Sequence, residues 1–273
     1  QMDIGVKVCD NLLVWDPPWH CKRSLLGMGD VLAFVRRVPE LLAGGYDLVL
    51  QPVPIGTGVM VAALTCGNVT VAVIDPTLPL SRIMGGYVSH PVRLSPKKNY
   101  HMRDLLEMTI CPVGVYSSAE KTLVLSDRIT AAVMDMLHTE GSQKIVILNI
   151  GAGSRLREWG KIKFAGLIGR LSGNPALKFV LIGGADDREK ATRIIDLQPH
   201  CGVVNLAGQL SLNMVASALS LADVVVTADT GIMHLAAAVD TRIVAIFGAG
   251  NVHYCHPISD DFTIIQHELG CSG

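Results

Sequence analysis

The chain has 273 residues, 49% of them hydrophobic, 17% charged and 5% aromatic, with a formal net charge of −1. High hydrophobicity with little charge excludes an intrinsically disordered chain. The near balance of 23 basic and 24 acidic residues removes the electrostatic case for nucleic-acid binding, and so few aromatics leave no stacking platform for single strands.

In chain order, patterning predicts a strand over 11–15, a helix over 32–42, and a strand over 46–50. Residues 48–74 carry no formal charge, a length that raises the question of a membrane span. Pro52, Pro54, Gly56, Gly58 and the Gly67-Asn68 pair break it into strand, helix over 57–65, turn, and strand over 69–74. Residues 76–112 read as irregular, with a short helix around 101–108. A helix over 127–139 leads to Gly141-Ser142, the expected hinge, giving domains 1–140 and 141–273.

The second half alternates clearly. Strands are expected over 144–150, 178–182, 203–206, 223–227 and 242–247, and helices over 162–171, 187–196, 212–219 and 232–239. The strand runs are continuously apolar, as in a parallel sheet covered on both faces. The expectation is an α/β, doubly wound domain.

Seven cysteines at wide spacing, with no C-x-x-C pair, point away from a disulfide framework and towards a reducing, cytoplasmic setting. His253, Cys255 and His256, with His267 and Cys271 beyond, match no standard zinc spacing and read as a loop.

Ligands of open α/β sheets bind beyond the carboxyl ends of the strands. Four such ends run into Gly151-Ala152-Gly153-Ser154, Gly183-Gly184-Ala185-Asp186, Asp229-Thr230-Gly231 and Gly248-Ala249-Gly250-Asn251. All four are expected on one rim. Asp229 or Thr230 has the chemistry to cap the helix beginning near Gly231. The amides of that first turn form an anion site with the helix dipole, and His234 lies about one turn in. The alternative is an ordinary cap with a surface histidine. The glycine spacing fits neither G-x-G-x-x-G nor the Walker motif.

These residues spell a longer text: NIGAGSRLREWGKIKFAGLIGRL, then FVLIGGADD, then VVNLAGQLSL, then LADVVVTADTGIMHLAAAVDTRIVAIFG. Over residues 144–250 it resembles glycosyltransferase family 9, the lipopolysaccharide heptosyltransferases. The resemblance implies a GT-B fold: two Rossmann-like doubly wound domains facing a cleft. The C-terminal domain would hold an ADP-sugar donor, typically ADP-heptose. The N-terminal one would receive a lipid-linked oligosaccharide acceptor, the lipopolysaccharide core, with peripheral association at the inner membrane face. Transfer would invert the anomeric centre without cofactor or metal. Asp229, Thr230, Gly231 and His234 match the element around the donor diphosphate. Gly153 and Ser154 match the loop beside it, and Arg157 stands where lysine is usual. Asp186 falls at the ribose-gripping position and Leu210 near the adenine.

An inverting transfer needs a base, which the family carries as aspartate in G-D-V after the first strand. Gly29-Asp30-Val31 has the letters, but Asp30 lies only 17 residues before Asp47, in the wrong register. Asp30 is therefore either the base or an ordinary helix N-terminal residue. The first unit of the N-terminal domain is expected to be missing, leaving a chain prone to aggregate, and the alternatives are a nucleotide-binding remnant or a GT-B enzyme using a UDP-sugar. Arg93, Lys97 and Lys98 belong to a basic stretch with Arg82 and Arg103. No acid lies between Asp75 and Asp104. The stretch reads equally as an acceptor-binding surface or as an exposed loop.

Overall fold

The computed structural model describes residue 39 and residues 44–267, apart from 55, 66, 117–122, 140, 141, 155, 156 and 249. The strand expected over 11–15, Asp30, and all but residue 39 of the helix expected over 32–42 lie outside the described residues. Contacts divide the described residues into two compact units, one up to residue 116 and the other from residue 123 on.

In the first unit, strand β1 (Leu48–Gln51), helix α1 (Gly56–Leu64), β2 (Val69–Ile74), α2 (Pro79–Met84), β3 (His90–Arg93) and α3 (Met102–Ile110) follow in order. The three strands form a parallel sheet in the order β1-β2-β3. The central strand is apolar at nearly every position because both its faces are covered: Val71 to Ile74 have no solvent exposure. Val59 of α1 and Val88 pack against Ala72 and Ile74. Burying a valine or isoleucine side chain completely is worth roughly 1.5–3 kcal/mol, so this strand anchors the unit. β3 was not expected from the sequence. Its HPVR text has no apolar run, and it forms because its backbone continues the ladder, with Val71 opposite His90 and Ile74 opposite Arg93. Pro91 is tolerated on such an outer strand.

The second unit contains α4 (Asp127–Leu137), β4 (Lys144–Asn149), α5 (Lys161–Leu171), β5 (Leu177–Ile182), α6 (Arg188–Asp196), β6 (Val204–Asn205), α7 (Leu212–Ser220), β7 (Val224–Ala228), α8 (Gly231–Ala238), β8 (Ile243–Phe247), α9 (Val252–Cys255) and β9 (Phe262–Gln266). Its six strands are all parallel in the order β6-β5-β4-β7-β8-β9. This order, with the chain starting in the middle and winding outwards both ways, is the doubly wound arrangement.

Alternation along each strand feeds two cores. Ile145, Ile147, Val180 and Val225 point to one side, with Leu219, Met233 and Ala236 from α7 and α8. Val146, Leu148, Phe179 and Leu181 point to the other, with Phe164 and Ile168 of α5 and Ile194 of α6. Val133 and Leu137 of α4 are fully buried in the first of these cores, and Thr130 Oγ1 donates to Ser217 Oγ of α7 at 3.1 Å. The helix that the sequence reading left before a hinge at 141 therefore packs with the second unit. The small residues of α8 sit close against β7 and β8. β9 was also unexpected: it pairs along its whole length with β8, from Ile243–Phe262 to Phe247–Gln266. Among the described residues no helix is long and apolar enough to cross a membrane.

Candidate functional site

β4 and β7 are neighbours, Leu148 opposite Val226, but their crossovers lead to opposite sides of the sheet. The chain parts at their carboxyl ends, and a crevice opens there, as at any such switch point. Asn149 ends β4 and is buried. Its Nδ2 donates to Thr227 Oγ1 at 2.9 Å and to Thr230 Oγ1 at 3.1 Å. The two loops are thereby stitched together, and a buried amide finds the partners it requires.

The crevice holds a cavity of about 340 Å³. Its lining joins polar backbone and side chains, at Asn149, Gly151, Gly153, Gly183 and Thr230, to apolar side chains of Leu210, Leu212, Val215 and Ile232. A flat apolar group with a polar, anionic tail fits that division.

The glycines are needed for space. A Cβ on Gly151 would lie 2.5 Å from Asp187 Oδ2, and one on Gly183 would lie 2.8 Å from Asp187 Cβ. Asp187 fills the gap these glycines leave. Its Oδ2 accepts from the Gly184 amide at 2.9 Å and its Oδ1 from Lys190 Nζ at 2.8 Å. Lys190 also donates to Glu158 Oε1 at 3.0 Å and to the Ile150 carbonyl at 3.2 Å. Burial pushes the Lys190 ammonium down, but the hydrogen bonds and charges of Asp187 and Glu158 outweigh it and hold the pKa above its ordinary value. This one ammonium ties α6 to the loop after β4, the loop that carries Arg157.

At the end of β7, Asp229 is buried. Arg157 Nη1 lies 3.4 Å from its Oδ2, an ion pair that is not a hydrogen bond: Oδ2 has no hydrogen-bond donor. Cys255 Sγ donates to Oδ1 at 3.4 Å. Burial, then the Asp229 charge and that hydrogen bond, push the Cys255 thiol up to about 11. Gly250 closes the slot, since a Cβ there would sit 2.6 Å from Asp229 Oδ2. Gln266 Nε2 of β9 donates to the Gly248 and Gly250 carbonyls at 3.1 and 3.0 Å, fixing this fourth loop.

Thr230 occupies the N-cap position of α8, yet no side chain caps the helix. Neither Asp229 nor Thr230 takes the capping role the sequence allowed them: Asp229 faces Arg157 and Cys255, and Thr230 Oγ1 accepts from Asn149 instead. Gly231 opens the helix and His234 is exposed in its first turn.

Of the residues singled out in the sequence, Gly153, Leu210 and Thr230 line the cavity. Ser154, Gly231 and His234 adjoin it in sequence, and Arg157 and Asp229 form the ion pair at its border. Asp186 lines a separate surface cleft with Glu158, Lys161, Glu189, Lys190 and Arg193, and it is Asp187 that lines the cavity. Asn149 and Asp187 were not singled out; Gly250 was named only as part of the fourth strand-end loop, and Cys255 only in a stretch read as a loop. Arg93, Lys97 and Lys98 are exposed at the end of β3 and the turn after it, in the first unit. Among the described residues no three His, Cys, Asp or Glu side chains cluster as metal ligands do.

Residues 91–273 match the family described as Glycosyltransferase family 9 (heptosyltransferase). The chain is 28% identical over 170 residues to lipopolysaccharide heptosyltransferase 2 of Salmonella typhimurium, which covers 60% of this chain and 45% of that protein. It is 41% identical over 71 residues to lipooligosaccharide heptosyltransferase 2 of Haemophilus influenzae, 26% of this chain and 20% of that protein. These alignments span less than half the length of either relative. Two solved structures share the fold. A glycosyl transferase family 9 protein from Veillonella parvula superposes with a TM-score of 0.66 at 19% identity, over 88% of this chain and 69% of its own. The E. coli ADP-heptose LPS heptosyltransferase II superposes at 0.62 and 18% identity, over 89% and 75%. The parallel sheets of three and six strands match these GT-B structures. With that family's model matched over residues 91–273, two thirds of its length and all of the crevice, the chain belongs to glycosyltransferase family 9, the heptosyltransferases.

Proposed function

We propose that the second unit binds an ADP-sugar in the crevice between β4 and β7, and that the protein transfers a heptose from it to a lipopolysaccharide core acceptor with inversion. The observation that carries this reading is the crevice itself, lined by apolar side chains and by the uncapped N-terminus of α8, with the Arg157 cation paired to Asp229 just before that helix. The apolar slot at Leu210, Val215 and Ile232 suits the adenine ring. The diphosphate lies towards Gly153 and the first turn of α8, whose amides and dipole favour an anion. Arg157 adds a permanent charge with a fork for phosphate oxygens.

The chemistry follows from where charge develops. An acceptor hydroxyl oxygen forms a bond to the anomeric carbon from the face opposite the ADP oxygen, whose bond to that carbon breaks. The hydroxyl proton passes to a base. ADP leaves carrying added negative charge on its terminal phosphate, and groups already aimed there lower the barrier. The helix terminus and Arg157 serve that end of the reaction. Asp229, itself an anion, serves it indirectly, by holding Arg157.

Calorimetric titration with ADP and with UDP tests the donor site. ADP is expected to bind and UDP to bind more weakly. Arg157→Ala is expected to weaken ADP about 10- to 100-fold, the worth of a charge-assisted hydrogen bond to phosphate. A protein that binds no ADP, or a variant that binds it as well as the parent, overturns the assignment. Transfer of heptose to a core acceptor, with the product's anomeric configuration read by NMR, tests the rest.

A further inference from the structure

The segment from Leu78 to Tyr87 turns the usual logic of a surface helix inside out. Ser81 and Gly85 are its buried positions, and Val88 just after it is buried too. Leu80, Ile83 and Tyr87 recur at the spacing of one helical face and point away from the core, 39%, 59% and 73% exposed, with Leu78 at the N-cap 41% exposed. A surface helix ordinarily shows polar residues there. This one shows a contiguous apolar stripe, of the kind that marks an interaction surface.

The charge around the stripe says what it meets. Arg82 lies on the same helix and is exposed. Arg93 ends β3 opposite Ile74, and the Leu94 amide donates to the Ile74 carbonyl at 2.9 Å. The start of α2 is tied to the same rim, for the Asp75 amide donates to Ser81 Oγ at 3.0 Å. The basic turn with exposed Lys97 and Lys98 follows directly, its backbone pinned where the Ser95 amide donates to the Tyr100 hydroxyl at 3.0 Å. No acidic residue occurs between Asp75 and Asp104. An apolar stripe ending in a tyrosine, on a unit whose exposed Arg82, Arg93, Lys97 and Lys98 outnumber the one acid at that rim, Asp75, is complementary to an anionic bilayer surface: side chains enter the acyl boundary and cations meet headgroup phosphates.

We propose that the α2 face, Leu78 to Tyr87 with Arg82, Arg93, Lys97 and Lys98, is a docking surface for anionic lipid bilayers. It shares no residue with the proposed donor site, which belongs to the other unit, so its failure would leave the ADP reading intact.

The test is co-sedimentation of the full 273-residue chain with phosphatidylcholine vesicles and with vesicles containing 30 mol% phosphatidylglycerol (roughly the anionic content that gives a substantial surface potential), neither containing an acceptor. Binding is expected to the anionic vesicles only, and to fall steeply with salt. Arg82→Glu is expected to lower the partition by more than about fivefold, one surface cation's share. Ile83→Asp with Tyr87→Asp is expected to abolish it. ADP titration and circular dichroism of each variant, unchanged from the parent, show that the fold survives. No binding to anionic vesicles, equal binding to neutral ones, or undiminished binding by the folded variants overturns the proposal. So does a parent dimer that Ile83→Asp converts to monomer, because the face would then belong to a second copy.

Discussion

The Asp229 carboxylate is held from three sides by groups of different kinds: the Arg157 guanidinium, the Cys255 thiol and the bare backbone of Gly250. The last is the least forgiving. Gly250→Ala places a carbon 2.6 Å from Oδ2, closer than van der Waals contact allows, so the buried carboxylate must shift. The expected cost is about 1–3 kcal/mol, typical of overpacking, seen as a lower melting temperature, with ADP affinity reduced because the shifted carboxylate no longer positions Arg157. Unchanged melting and binding would show that the slot is looser than its geometry. The thiol makes a prediction of its own. With its pKa pushed up to about 11, Cys255 is almost wholly protonated at neutral pH, and the thiolate is the nucleophile. Its alkylation by iodoacetamide is expected to be slow at pH 7 and to rise about tenfold per pH unit towards 11, followed by peptide mass spectrometry. Rapid labelling at pH 7 would contradict the burial and the Asp229 contact together.

Among the elements, the join between β4 and β7 carries a pH signature. Asp223, just before β7, takes Lys144 Nζ at 2.8 Å and the Ile145 amide at 2.9 Å. The Lys144 hydrogen bond, opposed by burial and helped by the Ile145 amide, holds its carboxyl below the ordinary value of 3.8. A carboxyl whose pKa is lower folded than unfolded binds fewer protons when folded. The stability it contributes is present above the unfolded value and is lost as pH falls through the folded one. Asp223→Asn is therefore expected to destabilise the protein at pH 7 by a few tenths to about 1 kcal/mol, solvent screening included, and the difference should shrink in acid as pH falls below 3.8 and through the lowered folded value. Urea unfolding of both proteins at pH 7 and in acid reads this directly; a gap that persists in acid would deny the pair its role.

The elements also show what a sequence can carry. β4, β5, β7 and β8 are legible because strands buried on both faces must be apolar at every position, and their glycine-rich exits follow from backbone lying close to a ligand or a side chain. β3 and β9 are not legible. HPVR and FTIIQ are outer strands held by backbone hydrogen bonds to one neighbour, a partnership that leaves little mark on side-chain choice. In the site, Asp186 and Asp187 are equivalent as letters. The tight turn over Ala185–Asp187 and the Gly184 amide decide that Asp187 faces the cavity. Asn149 left a signal, a polar residue closing an apolar strand, that its buried bonds to Thr227 and Thr230 explain. Cys255 stood out only among nearby histidines, and its pairing with Asp229 left no mark, because the two lie 26 positions apart and only the fold brings them together.

For the whole molecule, the division into two units makes a claim about autonomy. The second unit has both its cores, all six of its strands and every residue of the crevice within 119–273. Expressed alone, that segment is expected to melt cooperatively, as a domain with its own core does, and to bind ADP within about threefold of the full chain. A segment that stays unfolded, or folds and binds nothing, would mean that the first unit completes the site. A segment starting at residue 141 is expected to do worse, because it lacks Val133 and Leu137, and truncating a buried Val or Leu typically costs 2–5 kcal/mol.

The clamp made by Gln266 has a practical consequence for anyone handling this protein. The last described strand lies at the edge of its sheet, the place where a tag, a linker or a protease nick would ordinarily seem harmless. Here one amide of that edge grips the carbonyls of Gly248 and Gly250, and Gly250 in turn abuts the carboxylate beside Arg157. Trimming the chain before Gln266 would release a loop that reaches the nucleotide site in two steps. The sheet's outermost strand is thus mechanically part of its centre, and engineering of this chain is safer in the turn between α5 and β5 than at β9.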